Sequence, residues 1–306
     1  MVSVFCYKPD KQVSRGENMR CALLAVISCY AAFLVGCIEP TEATGSSRSA
    51  LSGDNSYVLA LGDSLAAGHQ LAPERPGHCC TNDGYADQLH RALSASDPTL
   101  SLRVLGCGFE TTTTMLKGEG LCRYERASQL EEALDWIKNK KPSLVTIDIG
   151  ANDVLACLQQ PNPSECLPST FATVSHNLSK ILKKLRHAVG PEVPIIGMNY
   201  YNPLVAHWFN GPAGPETAIA YQKTIVGPFN DLLEGVYLSA GANAVADVES
   251  AFASADFTID SSLGAASIPP SVANICAYTW MCSAGDIHPN TAGYGVIADT
   301  FLALLQ

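Results

Sequence analysis

The sequence predicts an α/β fold, a three-layer α/β/α sandwich with a five-stranded, mostly parallel sheet, and three observations carry that expectation. Short apolar runs of strand length alternate with longer segments whose apolar residues recur at three- and four-residue steps. Polar and glycine residues follow the apolar runs on their carboxyl side, where open α/β sheets bind ligands. From Tyr57 to Gln306 the chain has the length of one domain without a visible internal repeat, and a 47% hydrophobic composition supplies a buried core.

The elements follow in order. Strands are expected at 57–61 (YVLAL), 102–105 (LRVL), 144–149 (LVTIDI), 193–198 (VPIIGM) and 243–248 (NAVADV), each a short run rich in β-branched or aliphatic residues. The first breaks at glycine within "YVLALGDSLAAGHQ", residues 57–70, and is expected to enter a small-residue helix there. Helices are expected at Tyr85–Leu93 and Leu130–Ile137, and where Phe171, Val174, Leu178, Ile181, Leu182 and Leu185 share one face. Two more run from about Thr217 to Leu238 and from Thr291 to Leu305, with an irregular stretch from about 252 before the last. Strands separated by helices of this length pair in parallel through right-handed crossovers.

Ahead of the domain, Lys8, Lys11, Arg15 and Arg20 precede an apolar run from Cys21 to Leu34, too short to span a bilayer comfortably but suited to a signal-peptide core. It closes on "LVGC", which resembles the lipobox of bacterial lipoproteins and makes Cys37 the expected lipidated residue. Residues 1–36 are therefore expected to be a signal peptide, with 1–18 upstream of an alternative start at Met19. A plain membrane anchor or uncleaved signal is the rival reading. Residues 37–56 are rich in serine, threonine and glycine and read as a flexible tether, leaving 57–306 as the folded domain. Export to the cell envelope, at the outer membrane or surface through the lipid, is the expected localisation, because Ile38 stands where an inner-membrane retention signal would place aspartate.

Charge and cysteine content agree with that compartment. The whole chain carries a net charge of −10, and removing residues 1–36 leaves 15 Lys+Arg (19 less 4) against 27 Asp+Glu (29 less 2), or −12. Such a surface argues against nucleic acid as a partner. Beyond Cys37 stand eight cysteines, of which Cys107 and Cys122, Cys157 and Cys166, and Cys276 and Cys282 are locally spaced pairs. None has the spacing of a zinc knuckle with a matching second half, so disulfides are expected, with Cys79 and Cys80 left unassigned. A monomer is expected.

The candidate chemistry begins at Ser64, presented by "GDS" at the end of the first strand, where the alternative is a serine or aspartate that merely caps a helix. Neighbouring strands end in Gly106–Glu110, "GAND" (150–153) and Asn199–Asn202, a convergence that helix capping does not predict. A serine nucleophile needs a base. His288 stands in "SAGDIHPNTAGYG" just before the final helix, with Asp286 two residues back, on the same side of an extended segment and so able to orient the ring. His69, His78, His90, His176, His187 and His207 read as surface histidines.

"GDSL" (62–65), a glycine-containing turn after the second strand, "GAND" and "DIHPN" (286–290) resemble, in order and spacing, the four sequence blocks of the SGNH (GDSL) hydrolase superfamily. The resemblance implies a flavodoxin-like fold and a metal- and cofactor-free attack on an ester by Ser64, with His288 as base and Asp286 as its orienter. It implies an oxyanion hole from the Ser64 N–H, the Gly108 N–H and the Asn152 side chain. Related sequences often read "LGCPGETT" where this chain has "LGCGFETT", which sets Phe109 where a glycine would stand and leaves Gly108 or Phe109 as the donor. The segments "GMNYYNPL" and "ICAYTWMC" resemble the surface esterase and lipase branch, and Tyr200, Tyr201, Trp280 and Met281 are candidates for an acyl-pocket wall or for core packing. Three rival functions remain: deacylation of a glycan or acyl transfer on the same site, a metal phosphohydrolase using Asp63, Asp148, Asp153 and His288, and a surface binding module.

Overall fold

The computed structural model describes residues 56–71, 81–259 and 267–305. The expected leader, Cys37 with its expected lipid, most of the tether, His78, and Cys79 and Cys80 lie outside the described residues.

The expected sheet forms, and all of its strands are parallel. Strands β1 (Tyr57–Gly62), β2 (Ser101–Val104), β3 (Leu144–Asp148), β4 (Ile195–Met198) and β5 (Ala244–Ala246) lie in the order β2-β1-β3-β4-β5. β1 and β3 are buried throughout, which is why they read as near-continuous apolar runs rather than as alternating ones. β2 at one edge is half-exposed and the least hydrophobic of them.

Two helical layers cover the sheet. On one face α1 (Tyr85–Ser94) packs against the final helix (Thr291–Ala303), with Tyr85 stacked on Phe301 at 5.0 Å between ring centroids. On the other lie α3 (Gln129–Asn139), α5 (Pro163–Val189) and α7 (Gly227–Ala240), each packed on its neighbour; a short α2 (Thr112–Lys117) and α4 (Ala151–Leu158) meet α5 near the active edge. Of the expected stripe of α5, Val174, Leu178, Ile181, Leu182 and Leu185 are wholly buried, Phe171 is half-buried at its start, and Val189 continues it. Truncating one of its leucines to alanine would cost about 2–5 kcal/mol.

Three expectations need correction. The small-residue segment after β1 is not a helix but a compact turn, closed by Gly68 N–H to Leu65 O at 3.0 Å and His69 N–H to Ser64 O at 2.9 Å. The single helix expected over 217–238 is broken into α6 (Gly214–Tyr221), a π-helical turn (Gln222–Val226) and α7, because Pro228 has no N–H and its ring excludes the ordinary path of the preceding turn. The stretch from about 252 holds α9 (Pro270–Tyr278) and α10 (Met281–Ala284), too short to betray a period, after α8 (Val248–Ala251) and before α11, the final helix Thr291–Ala303.

Candidate active site

The site is assembled where β1 lies between β2 and β3, at the carboxyl edge of the sheet. At the end of β1, Gly62 has φ +141°, and a Cβ there would lie 2.2 Å from Asp148 O, so only glycine lets the two strands run this close. Asp63 then takes the part that capping would have given to serine: its Oδ1 accepts the Leu65 N–H at 2.9 Å. Asp148, one strand away, accepts the Asp63 and Ala66 N–H groups on Oδ2, both at 3.3 Å, and the Tyr85 hydroxyl on Oδ1 at 2.6 Å. Tyr200 donates to Asp63 Oδ2 at 3.0 Å. Burial raises both carboxyls, Asp148 well above its ordinary range with the charge of Asp63 adding to it. These two carboxyls are thus committed to shaping the turn, and Ser64 keeps its hydroxyl for something else.

That hydroxyl meets His288. Ser64 Oγ and His288 Nε2 are 2.9 Å apart, and His288 Nδ1 lies 2.6 Å from Asp286 Oδ1. The same Oδ1 accepts the His288 backbone N–H at 2.8 Å. The two-residue spacing therefore works through a side-chain-to-backbone turn that fixes carboxylate and imidazole together, rather than through the pleat of an extended segment. Burial opposes ionisation of Asp286, but the hydrogen bond and charge of His288 outweigh it and hold the carboxyl below its ordinary range. The loop that carries the pair leans on two supports: Trp280 N–H donates to His288 O at 3.0 Å, and Tyr201 hydroxyl donates to Ile287 O at 2.7 Å.

Asn152 sits in the first turn of α4, just past Gly150 with φ +115°, and donates through Nδ2 to Glu110 O at 3.0 Å. An amide has two such protons, so one remains for the cleft. The loop it meets is a turn in which Glu110 N–H returns to Cys107 O at 3.2 Å with Phe109 at φ +65°. The residue set where related sequences have glycine is thus the one in the left-handed conformation, and its side chain is 47% exposed. Among the described residues no acceptor takes the N–H of Ser64 or of Gly108.

A cleft of about 690 Å³, counting the part open to solvent, runs from Ser64, Asn152 and His288 between two apolar walls. Val154, Leu155 and Leu158 of α4 form one wall; Leu204, Ile225, Val226 and Phe229 form the other, with Tyr200 and Tyr201 beside the serine. Trp280 and Met281 do not line it: the segment that carries them folds behind the His288 loop, where the Trp280 backbone supports that loop. Gly108 is likewise not among the lining residues.

Three disulfides close the expected pairs, Cys107–Cys122, Cys157–Cys166 and Cys276–Cys282. The first ties the Phe109 turn, the second joins α4 to α5, and the third encloses Trp280.

Two residues missed in the sequence belong here. Gln129, at the start of α3, holds Gly62 by two hydrogen bonds and reaches Glu110 Oε2 at 3.3 Å. His69, expected at the surface, has its ring 4.1 Å from that of His288, and burial followed by the charge of His288 lowers it to about 4. The only signal was its position five residues past Ser64.

Asp63 and Asp148 of the metal reading are neighbours, but among the described residues they form no three-membered ligand group with Asp153 or His288. Asp153 is spent on Thr112 N–H and Oγ1, both at 2.8 Å, while Asp63 and Asp148 hold the turn. His69, Asp286 and His288 each bring a donor atom within 4.8 Å of the others, but the two rings meet near face-to-face, tilted by 36°, and both His288 nitrogens are engaged. Ring faces, not converging lone pairs, meet there.

A hydroxyl, an imidazole and a carboxylate thus stand in one chain of hydrogen bonds at the sheet's carboxyl edge, the arrangement of a Ser-His-Asp triad. The chain belongs to the GDSL-like Lipase/Acylhydrolase family, whose model matches residues 60–296. Among solved structures it is similar to the lipase Lip_vut3 from a goat rumen metagenome, at 18% identity and TM-score 0.51 over 81% of this chain and 96% of that one. Esterase EstA from Pseudoalteromonas sp. (18% identity, TM-score 0.45, 82% and 96%) and phospholipase A1 from Streptomyces albidoflavus NA297 (18%, 0.46, 82% and 99%) are further matches. Likeness at this identity speaks for the fold alone. No curated protein matches the chain.

Proposed function

We propose that the protein hydrolyses carboxylic esters with an apolar acyl chain, through an acyl-enzyme on Ser64. The observation that carries this reading is the unbroken sequence of hydrogen bonds from Ser64 Oγ through His288 to Asp286, opening onto a cleft with apolar walls. His288 Nε2 takes the serine proton as Oγ bonds to the carbonyl carbon and the carbonyl π electrons move to oxygen. That oxygen is stabilised by Asn152 Nδ2 and the Ser64 N–H, groups that line the cleft and keep a proton without an internal acceptor, with a third donor left to the Gly108 or Phe109 N–H of the adjoining turn. Collapse expels the alcohol, which takes the proton from His288, and water repeats the cycle to release the acid. No metal is required, since each charge that develops has a protein group to meet it.

The rival within the same chemistry is deacetylation of a glycan or acyl transfer. An acetyl group would leave Leu158, Ile225 and Phe229 without a partner, and this favours a longer acyl chain. Turnover of aryl esters from acetyl to dodecanoyl, beside an acetylated polysaccharide and with and without a chelator, tests the choice. Higher kcat/KM for longer aryl esters than for either acetyl substrate, unchanged by chelator, is expected. A preference for the acetylated polysaccharide would overturn the substrate assignment, and loss of turnover in chelator would overturn the metal-free mechanism.

Export to the cell envelope with Cys37 lipidated belongs to the same proposal. Three disulfides among the described residues support an oxidising compartment.

A further inference from the structure

We propose that His69 is a positioning residue for this reaction: its ring walls the His288 imidazole into line between Asp286 and Ser64, and its π face stabilises the imidazolium formed when the serine proton arrives. The inference rests on the Ser64–His288–Asp286 reading.

The two rings lie 4.1 Å apart between centroids with planes tilted by 36°, close enough that His288 cannot swing toward His69 without collision. Among the described residues no hydrogen bond is made by the His69 ring, so packing is its only engagement there. Its backbone is held from two sides, by the His69 N–H to Ser64 O at 2.9 Å and by the Tyr294 hydroxyl, which donates to His69 O. The wall against the base is thereby part of the same closed turn as the nucleophile. Distance between the two is set within six consecutive residues rather than across the fold.

Charge completes the argument. Among the described residues two titratable groups act on His69: His288, whose positive form repels a proton on it, and Asp286, whose weaker effect attracts one. Burial and His288 prevail, holding His69 at about 4, so it is uncharged at neutral pH when His288 gains its proton. A neutral aromatic face beside a forming cation attracts it, and this contact strengthens only as the transition state is approached.

The test compares His69→Ala, His69→Gln and His69→Phe with wild type, using kcat and KM on an octanoyl aryl ester, the low-field proton resonance of His288 Nδ1–H, and circular dichroism. Ser64→Ala and His288→Ala are run alongside. His69→Ala is expected to lower kcat about tenfold with KM within about twofold, and His69→Phe to recover to within about threefold of wild type. The low-field resonance should shift or broaden in Ala and Gln and persist in Phe. Because both backbone hydrogen bonds of His69 survive substitution, the variants should fold. If Ala nevertheless unfolds, the proposal requires Phe to be faster than Gln, which fills space without a ring. Wild-type kcat in His69→Ala, or a Phe variant no faster than Gln, with Ser64→Ala and His288→Ala inactive, overturns the role of His69 alone. Turnover surviving in Ser64→Ala or His288→Ala overturns the site reading beneath it.

Discussion

Gln129 grips Gly62 by both of its backbone polar groups, accepting the Gly62 N–H on Oε1 at 2.7 Å and donating from Nε2 to Gly62 O at 2.9 Å. The same Nε2 lies 2.9 Å from the Tyr124 hydroxyl, which donates to Glu110 Oε2 at 2.7 Å. One buried amide thus couples the strand end that presents Ser64 to the loop that meets Asn152.

Gln129→Ala should leave the Gly62 N–H buried and unpaired, Gly62 O keeping only the Cys107 N–H at 3.2 Å, and this should cost about 1–3 kcal/mol if water does not reach the group. Chemical denaturation should show that loss, and kcat should fall with it because the serine turn loses its brace. Gln129→Glu should do no better, since a carboxylate can accept the Gly62 N–H but cannot donate to Gly62 O, and it adds charge beside Glu110. Wild-type stability in either variant would remove the brace.

Asn152→Ala should lower kcat by about 10²–10³ while KM changes little, because the bond to the oxyanion matures only in the transition state. Asn152→Asp should be at least as damaging: it presents an acceptor to developing negative charge and sets a second acceptor against Glu110 O, so its melting temperature should also fall. An active Asn152→Asp enzyme would limit the residue to the turn.

Asp286→Asn should cut kcat on the order of 10³–10⁴, by orienting the imidazole wrongly and withdrawing the charge that balances its protonated form. Its effect on stability has a defined sign. The folded carboxyl lies below its ordinary range, so its contribution is present above the unfolded value, near 3.9, and is lost as pH falls through the folded value. The stability difference between wild type and Asp286→Asn should therefore shrink as pH falls below about 4. A difference that grew as pH fell below about 4 would contradict the ionised assignment.

Selective loss of the Cys276–Cys282 bridge should lower activity before it unfolds the sheet. The bridge encloses Trp280, whose backbone N–H holds His288 O at 3.0 Å, and it joins α9 to α10 rather than to a strand. Cys276→Ser with Cys282→Ser should show reduced kcat with a sheet signal in circular dichroism like that of wild type. Full activity with both cysteines replaced would remove the role.

What the sequence disclosed follows from how far each interaction reaches along the chain. β1, β3 and the buried face of α5 were legible because burial on both faces, or on one stripe, leaves a periodic record. Ser64, Asn152, Asp286 and His288 were legible because glycine turns and strand ends mark them. Gln129 was not: it stands 67 residues from its partner and resembles any polar residue opening a helix. His69 was read as exposed, since nothing local says which loop will close over it. Tyr201 was found as a cleft residue, but its hydroxyl acts on Ile287, 86 residues away. The π-helical turn at Gln222–Val226 follows from one proline inside an otherwise continuous pattern, a local event that apolar periodicity averages out. Trp280 and Met281 could be read only as cleft wall or core packing, since aromatic and apolar composition marks burial without saying against what; they lie outside the cleft lining.

The central claim is that Ser64 is the activated nucleophile, and labelling with a fluorophosphonate followed by peptide mapping tests it most directly. The account predicts one label per chain, on Ser64, with turnover lost in proportion, and no label in Ser64→Ala or His288→Ala, since only the hydroxyl 2.9 Å from His288 Nε2 is activated. Label on another serine, or an ester-active protein that takes none, would contradict it.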